Sequence, residues 1–101
     1  MRARFSSVVL TGDLDIYEAP ALRRVLDVLD GPGTVDMRGV RYLDSSALAE
    51  LARVARRIGR HEVTLVVASA NVRKVLGIVR FDNLFTIVDV PHPTQGALAS
   101  A

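Results

Sequence analysis

The chain has 101 residues, of which 50% are hydrophobic and 24% charged, with a formal net charge of only +2. That length fits one domain spanning residues 1–101, and the apolar content with low net charge excludes a disordered chain. The absence of cysteine excludes disulfides, thiolate zinc sites and cysteine nucleophiles.

Strands and helices are predicted to alternate, the signature of an α/β domain. Residues 5–11 (FSSVVLT) read as a strand that Gly12 ends. Residues 17–29 read as a helix. Leu22, Val25, Leu26 and Leu29 recur at i, i+3, i+4, i+7, and Pro20 suits the first turn. Gly31-Pro32-Gly33 turns the chain. A short strand is predicted over 34–37, a second turn at Arg38-Gly39, then a strand over 40–43.

The strongest helix is predicted over 46–58, with Leu48, Leu51, Ala52, Ala55 and Ile58 as its core stripe and Gly59 as its stop. Arg53, Arg57 and Arg60 fall on the opposite side, and with Arg56 they read as a solvated face. Residues 63–68 (VTLVVA) form a nearly continuous apolar run, which suits a strand covered on both faces. A helix is expected over 71–79, with Ser69 as N-cap and Val72, Val75, Leu76 and Val79 inward. A last strand over 85–88 and a helical turn or two over 94–99 complete the order β-α-β-α-β-α-β with a fourth helix at the end.

Basic residues are mixed with acidic ones (13 Lys and Arg against 11 Asp and Glu), so no nucleic-acid partner is expected. Met1-Arg2-Ala3-Arg4 is basic but no apolar segment follows, and no run reaches the ~18 residues of a membrane span. A cytoplasmic protein is expected.

Chemistry concentrates at Asp44-Ser45-Ser46-Ala47-Leu48, between a strand end and the start of the strongest helix. A helix start offers free N–H groups and a positive dipole end. A phosphate on a serine there would accept those N–H groups and gain about 0.3–1 kcal/mol from the dipole. Phosphorylation would leave the helix intact and act on a docked partner by adding roughly two negative charges. On pattern alone, ordinary N-capping is the better explanation of the same Asp and Ser residues. Asp13 and Asp15 read either as a hydrogen-bonding rim for a partner or as turn-stabilising carboxylates.

An enzyme is disfavoured. Neither His61 nor His92 is placed to activate a serine, the G-x-S-x-G elbow is absent, and no glycine-rich phosphate loop exists. The spread of Asp13, Asp15, Asp36 and Asp44 over three segments argues against a magnesium site. No cofactor is expected.

Gly12-Asp13-Leu14-Asp15, Ala19-Pro20-Ala21-Leu22-Arg23, Asp36-Met37-Arg38-Gly39-Val40 and Leu43-Asp44-Ser45-Ser46-Ala47-Leu48 resemble successive blocks of a STAS domain. This is the fold of the bacterial anti-sigma factor antagonists. Residues 72–76 and 81–85 extend the likeness. The resemblance implies a small four- to five-stranded mixed sheet flanked by three to four helices. It also implies that Ser46 is phosphorylated by a serine-kinase anti-sigma factor, with Asp44 and Ser45 shaping the site. The unphosphorylated protein, a monomer that forms hetero-complexes, would bind that kinase around Asp13, Asp15 and residues 44–47 and so free a sigma factor. The alternative within the same resemblance is a STAS subunit of an ABC-type lipid-transport complex.

Three departures from the family pattern carry expectations. Ala47 stands where glycine is usual, which predicts a methyl group in the way of a partner or kinase. The N-terminus is short, where family members usually carry another strand before the one expected from residue 5. The segment before Asp36 is clipped, which predicts a shortened central strand and a domain of marginal stability.

Overall fold

In the computed structural model, residues 7–91 are described. The chain runs β1 (Ser7–Leu14), α1 (Ala19–Leu26), β2 (Gly33–Leu43), α2 (Ser45–Ile58), β3 (Val63–Val67), α3 (Ala70–Ile78), a 3-10 turn at Phe81–Asn83, and β4 (Thr86–Asp89). The strands lie in the sheet in chain order, and every pairing among the described residues is parallel. The expected mixed sheet thus has no antiparallel partner within residues 7–91. The helical turn expected over 94–99 lies outside the described residues, as do the first two residues of the strand expected from residue 5.

Parallel strands in sequential order, joined by right-handed crossovers, place all connecting helices on one face. Burial follows that geometry. Val8, Leu10, Val35, Met37, Val63, Leu65 and Val67 are buried under the helices, whereas Val9 on the other face is 65% exposed. The continuous apolar run of β3 therefore misled. Its residues alternate between buried and half-buried, because among the described residues only one face of the sheet is covered.

The central strand corrects the sequence reading most. The two short strands and intervening turn are one eleven-residue strand, the longest of the sheet, so the predicted clipping is absent. Its register against β1 slips twice, between Val9 and Thr11 and again between Gly12 and Asp13. These slips are β-bulges, which absorb extra residues without ending the strand. At the first, the Asp36 carboxylate accepts the Arg38 backbone N–H (3.0 Å) and binds the Arg38 guanidinium (3.0 and 2.8 Å). Gly39 lies beside Thr11, where a Cβ would meet the threonine methyl at 2.9 Å.

The first helix is shorter than its pattern. Pro20 sits in its opening turn as expected, but the helix ends at Leu26, and Leu29 is buried from the following turn. Val25, predicted inward, is exposed. Arg53 and Arg57 do not form a solvated face. Arg53 binds Asp27 (2.7 Å) and Glu50 (3.1 Å), and Arg57 donates to the carbonyls of Leu29 (2.8 Å) and Leu26 (3.2 Å). These arginines close the C-terminal end of α1, whose last carbonyls have no helical partner. They lie at the α1–α2 seam, and Val54, not Leu48, joins Ala47, Leu51 and Ala55 among the buried residues of α2.

Candidate functional site

The C-terminal ends of β1 and β2 meet at Leu14 and Leu43, which are register partners. The backbone N–H of Asp44 donates to the Leu14 carbonyl (3.1 Å), joining the start of α2 to the end of β1. Asp13 and Asp15, which flank Leu14, thus lie at one corner with residues 44–47. Strand carboxyl ends are where open α/β sheets place ligands.

Asp44 is the N-cap of α2. Its carboxylate accepts from the N–H of Ser46 (2.9 Å) and of Ala47 (3.3 Å). Ser45 is exposed and Ser46 half-buried in the first helical turn. This corrects the expectation that a phosphate would take up the free N–H groups of the helix start: Asp44 already occupies two of them.

Ala47 is fully buried. Its methyl group packs in the core, so in the free chain it is not on the surface that the expected obstruction would need. Asp15 has a structural task, accepting from the N–H of Tyr17 (3.0 Å) and Glu18 (3.3 Å) to shape the β1–α1 loop. Asp13 is exposed and faces Arg41 at 3.8 Å. Such exposed pairs contribute little to stability, and Asp13 stays available to a partner.

The sequence reading missed two residues of this corner. Ile16 and Tyr17 are 61% and 87% exposed in the β1–α1 loop. An exposed apolar pair beside polar groups resembles the aromatic and aliphatic anchors of protein interfaces. The signal was present: Pro20 sets the helix start at Ala19 and so leaves Tyr17 in the loop.

Beside the corner, Glu50 accepts from both Arg23 and Arg53 at 3.1 Å. Arg23 is the main cause, with Arg53, of a Glu50 carboxyl held below its usual range. Asp27 is likewise lowered, chiefly by Arg53. Among the described residues no group of acidic or histidine side chains is arranged to hold a metal. None of their helices is long and apolar enough to cross a membrane.

Comparison with known proteins agrees with this architecture. The family model described as "Mlab, STAS domain" matches residues 2–89. A STAS-domain containing protein of Pseudomonas aeruginosa is 42% identical over 55 residues, covering 52% of this chain; the chain spans 54% of that relative's length. The anti-sigma-B factor antagonist of Staphylococcus aureus is 26% identical over 97 residues, covering 92% of this chain and 86% of that protein. The solved structure of the anti-sigma factor antagonist SpoIIAA in its unphosphorylated form matches with a TM-score of 0.58 at 18% identity, over 99% of this chain and 92% of that one. The fold is shared, and with a family match over most of its length the chain belongs to the STAS domain family.

Proposed function

We propose that the chain is an anti-sigma factor antagonist working by partner switching in the cytoplasm. Unphosphorylated, it binds a serine-kinase anti-sigma factor at the corner formed by Asp13, Asp15, Ile16, Tyr17 and the start of α2, and so releases a sigma factor. Phosphorylation of Ser46 ends that binding by adding roughly two negative charges to the interface. The observation that carries the reading is the position of Ser46. It is a half-buried residue in the first turn of α2, two positions after the Asp44 cap whose N–H joins this helix start to the end of β1. The antagonists named among its relatives support the same class. The protein acts as a binding module, not an enzyme.

The test is a pull-down from host lysate with wild-type and Ser46→Glu baits, read by mass spectrometry. Capture of a kinase-like anti-sigma factor by wild type alone supports the switch. Equal capture by both baits refutes it.

A second reading is favoured by the family model, whose description is Mlab rather than an anti-sigma factor antagonist. In it the chain is a regulatory STAS subunit of an ABC-type transport complex, and Ser46 and Asp44 form an ordinary helix start. Capture of a permease or transport ATPase by both baits is its signature.

A further inference from the structure

The seam between α1 and α2 holds a half-exposed arginine, Arg23, bound to Glu50 at 3.1 Å. Three contacts set the two helices side by side and parallel: Arg23 with Glu50, Arg53 with Asp27, and Arg57 with the carbonyls of Leu26, the last residue of α1, and of Leu29 in the turn after it. Ser46 lies four residues before Glu50, hence on the same side of α2 and one turn nearer its start. Continuing the pairing by that turn sets Ser46 opposite the N-terminal turn of α1. There a shallow depression of about 350 Å3 is lined by Ala19, Pro20, Arg23, Arg24 and Glu50.

Charge in the seam is unbalanced. Asp27 and Glu50 carry two negative charges against three positive ones on Arg23, Arg53 and Arg57. Glu50 has two guanidinium partners, and Arg53 is held a second time by Asp27. Arg23 makes one hydrogen bond, to a carboxylate that Arg53 already neutralises, and its side chain is half exposed. Its departure strands no charge.

We propose that when Ser46 carries a phosphate, Arg23 leaves Glu50 and clamps that phosphate across the α1–α2 seam. This rests on the reading of Ser46 as the phosphorylated residue. Guanidinium groups bind phosphate through two parallel N–H donors, and a dianion offers more than a shared carboxylate does. Asp44 retains the N–H groups of Ser46 and Ala47, which leaves the Ser45 N–H and the guanidinium groups across the seam as donors for the phosphate. The clamp fixes α1 to the start of α2 and holds the modified side chain in one position at the docking corner. The groups around the phosphate are Arg23 and Arg24 from α1, Asp44 and Glu50 from α2 and its cap, and Asp15 and Glu18 from the β1–α1 loop. The arginines favour the dianion; the carboxylates oppose it.

The test installs phosphoserine directly at position 46 of the full chain by genetic-code expansion, so no kinase is needed. Phosphorus NMR then follows the second phosphate ionisation in the wild-type, Arg23→Gln and Arg24→Gln backgrounds. The clamp predicts an ionisation that occurs about 0.5 pH units or more lower with Arg23 present than in Arg23→Gln, and little change in Arg24→Gln. It also predicts that phosphate raises the melting midpoint by a few degrees, a gain lost in Arg23→Gln. Arg23→Gln removes a half-exposed ion pair and folds normally. Equal ionisation in wild type and Arg23→Gln overturns the clamp, as does a dependence on Arg24 alone. Because phosphoserine is incorporated during translation, these results hold whether or not a kinase uses Ser46. Failure of the switch itself shows separately, as equal partner capture by the phosphorylated and unmodified proteins.

Discussion

The two halves of the sheet are held together differently. In β1–α1–β2–α2, two long strands share a bulged ladder, and the helices are pinned by arginines to carboxylates and carbonyls. In β3–α3–β4, the strands have five and four residues, and α3 reaches β4 through one ion pair, Arg73 to Asp89 at 3.5 Å. Ile78, Val79 and Val88 are exposed there. The residues proposed to bind a partner all belong to the first half. A switch that turns on one phosphate needs a corner whose backbone does not drift, and the dense polar seam supplies it. The second half contributes Val63, Leu65, Val67, Val72 and Leu76 to the core.

The largest test of this contrast is a pair of truncations. Leu51 on α2 is fully buried and Ile78 on α3 is 70% exposed. Leu51→Ala is expected to cost about 2–5 kcal/mol in urea unfolding, because it leaves a cavity in a packed core. Ile78→Ala is expected to change stability by less than about 0.5 kcal/mol. A comparable loss from Ile78→Ala would mean that its face is covered in solution and that the halves are more alike than described.

The two helix caps give the next comparison. Asp44 accepts two N–H groups, whereas Ser69 accepts one, from Val72 at 3.3 Å. Removing an N-cap side chain costs about 0.5–2 kcal/mol. Asp44→Ala should fall in the upper half of that range and Ser69→Ala in the lower half, measured by thermal melts. Asp44→Asn should be nearly neutral, since asparagine caps as well as aspartate. Equal losses from the two alanine variants would remove the first half's advantage at its helix start.

Ala47 allows a smaller and more pointed test. Its buried methyl predicts that Ala47→Gly lowers stability by about 1 kcal/mol through helix propensity and lost packing. Partner affinity should stay unchanged once folding is accounted for. A gain in affinity would show that the methyl does meet a partner after all.

What the sequence disclosed follows from how local each feature is. Helical periodicity located α2 to within a residue, and Ser69 and Gly59 marked helix ends by their own chemistry. The bulged β2 was not legible. Arg38-Gly39 carries the same punctuation in a turn as in a bulge, and only the facing residues of β1 tell them apart. The role of Arg53 was hidden for a similar reason. Its partner Asp27 is 26 residues away and is brought near only by the crossover. Asp44-Ser45-Ser46 was readable as a helix start. That the cap would take N–H groups offered to a phosphate was one of the two readings the pattern left open, and the Asp44 side chain decides for it.

Acid titration gives the smallest effect and separates the polar seam from an isolated pair. Glu50 is held below the usual carboxylate range by Arg23 and Arg53, and Asp36 by Arg38 within β2. A carboxylate whose folded ionisation is depressed binds fewer protons folded than unfolded, so its contribution is complete above the ordinary value. It is lost as pH falls through the folded value. Wild-type urea midpoints should therefore decline below about pH 4.5, the ordinary value for Glu50. Glu50→Gln should flatten that decline by at most about 1 kcal/mol, the ceiling for a pair with one partner half exposed. Asp36→Asn should flatten it less, because among the described residues Arg38 is its one guanidinium partner and lies out in solvent. If the two variants flatten the decline equally, the second arginine on Glu50 adds nothing in solution. Arg23 would then be even freer to leave, and the seam would owe its rigidity to Arg53, Arg57 and the α1 carbonyls instead.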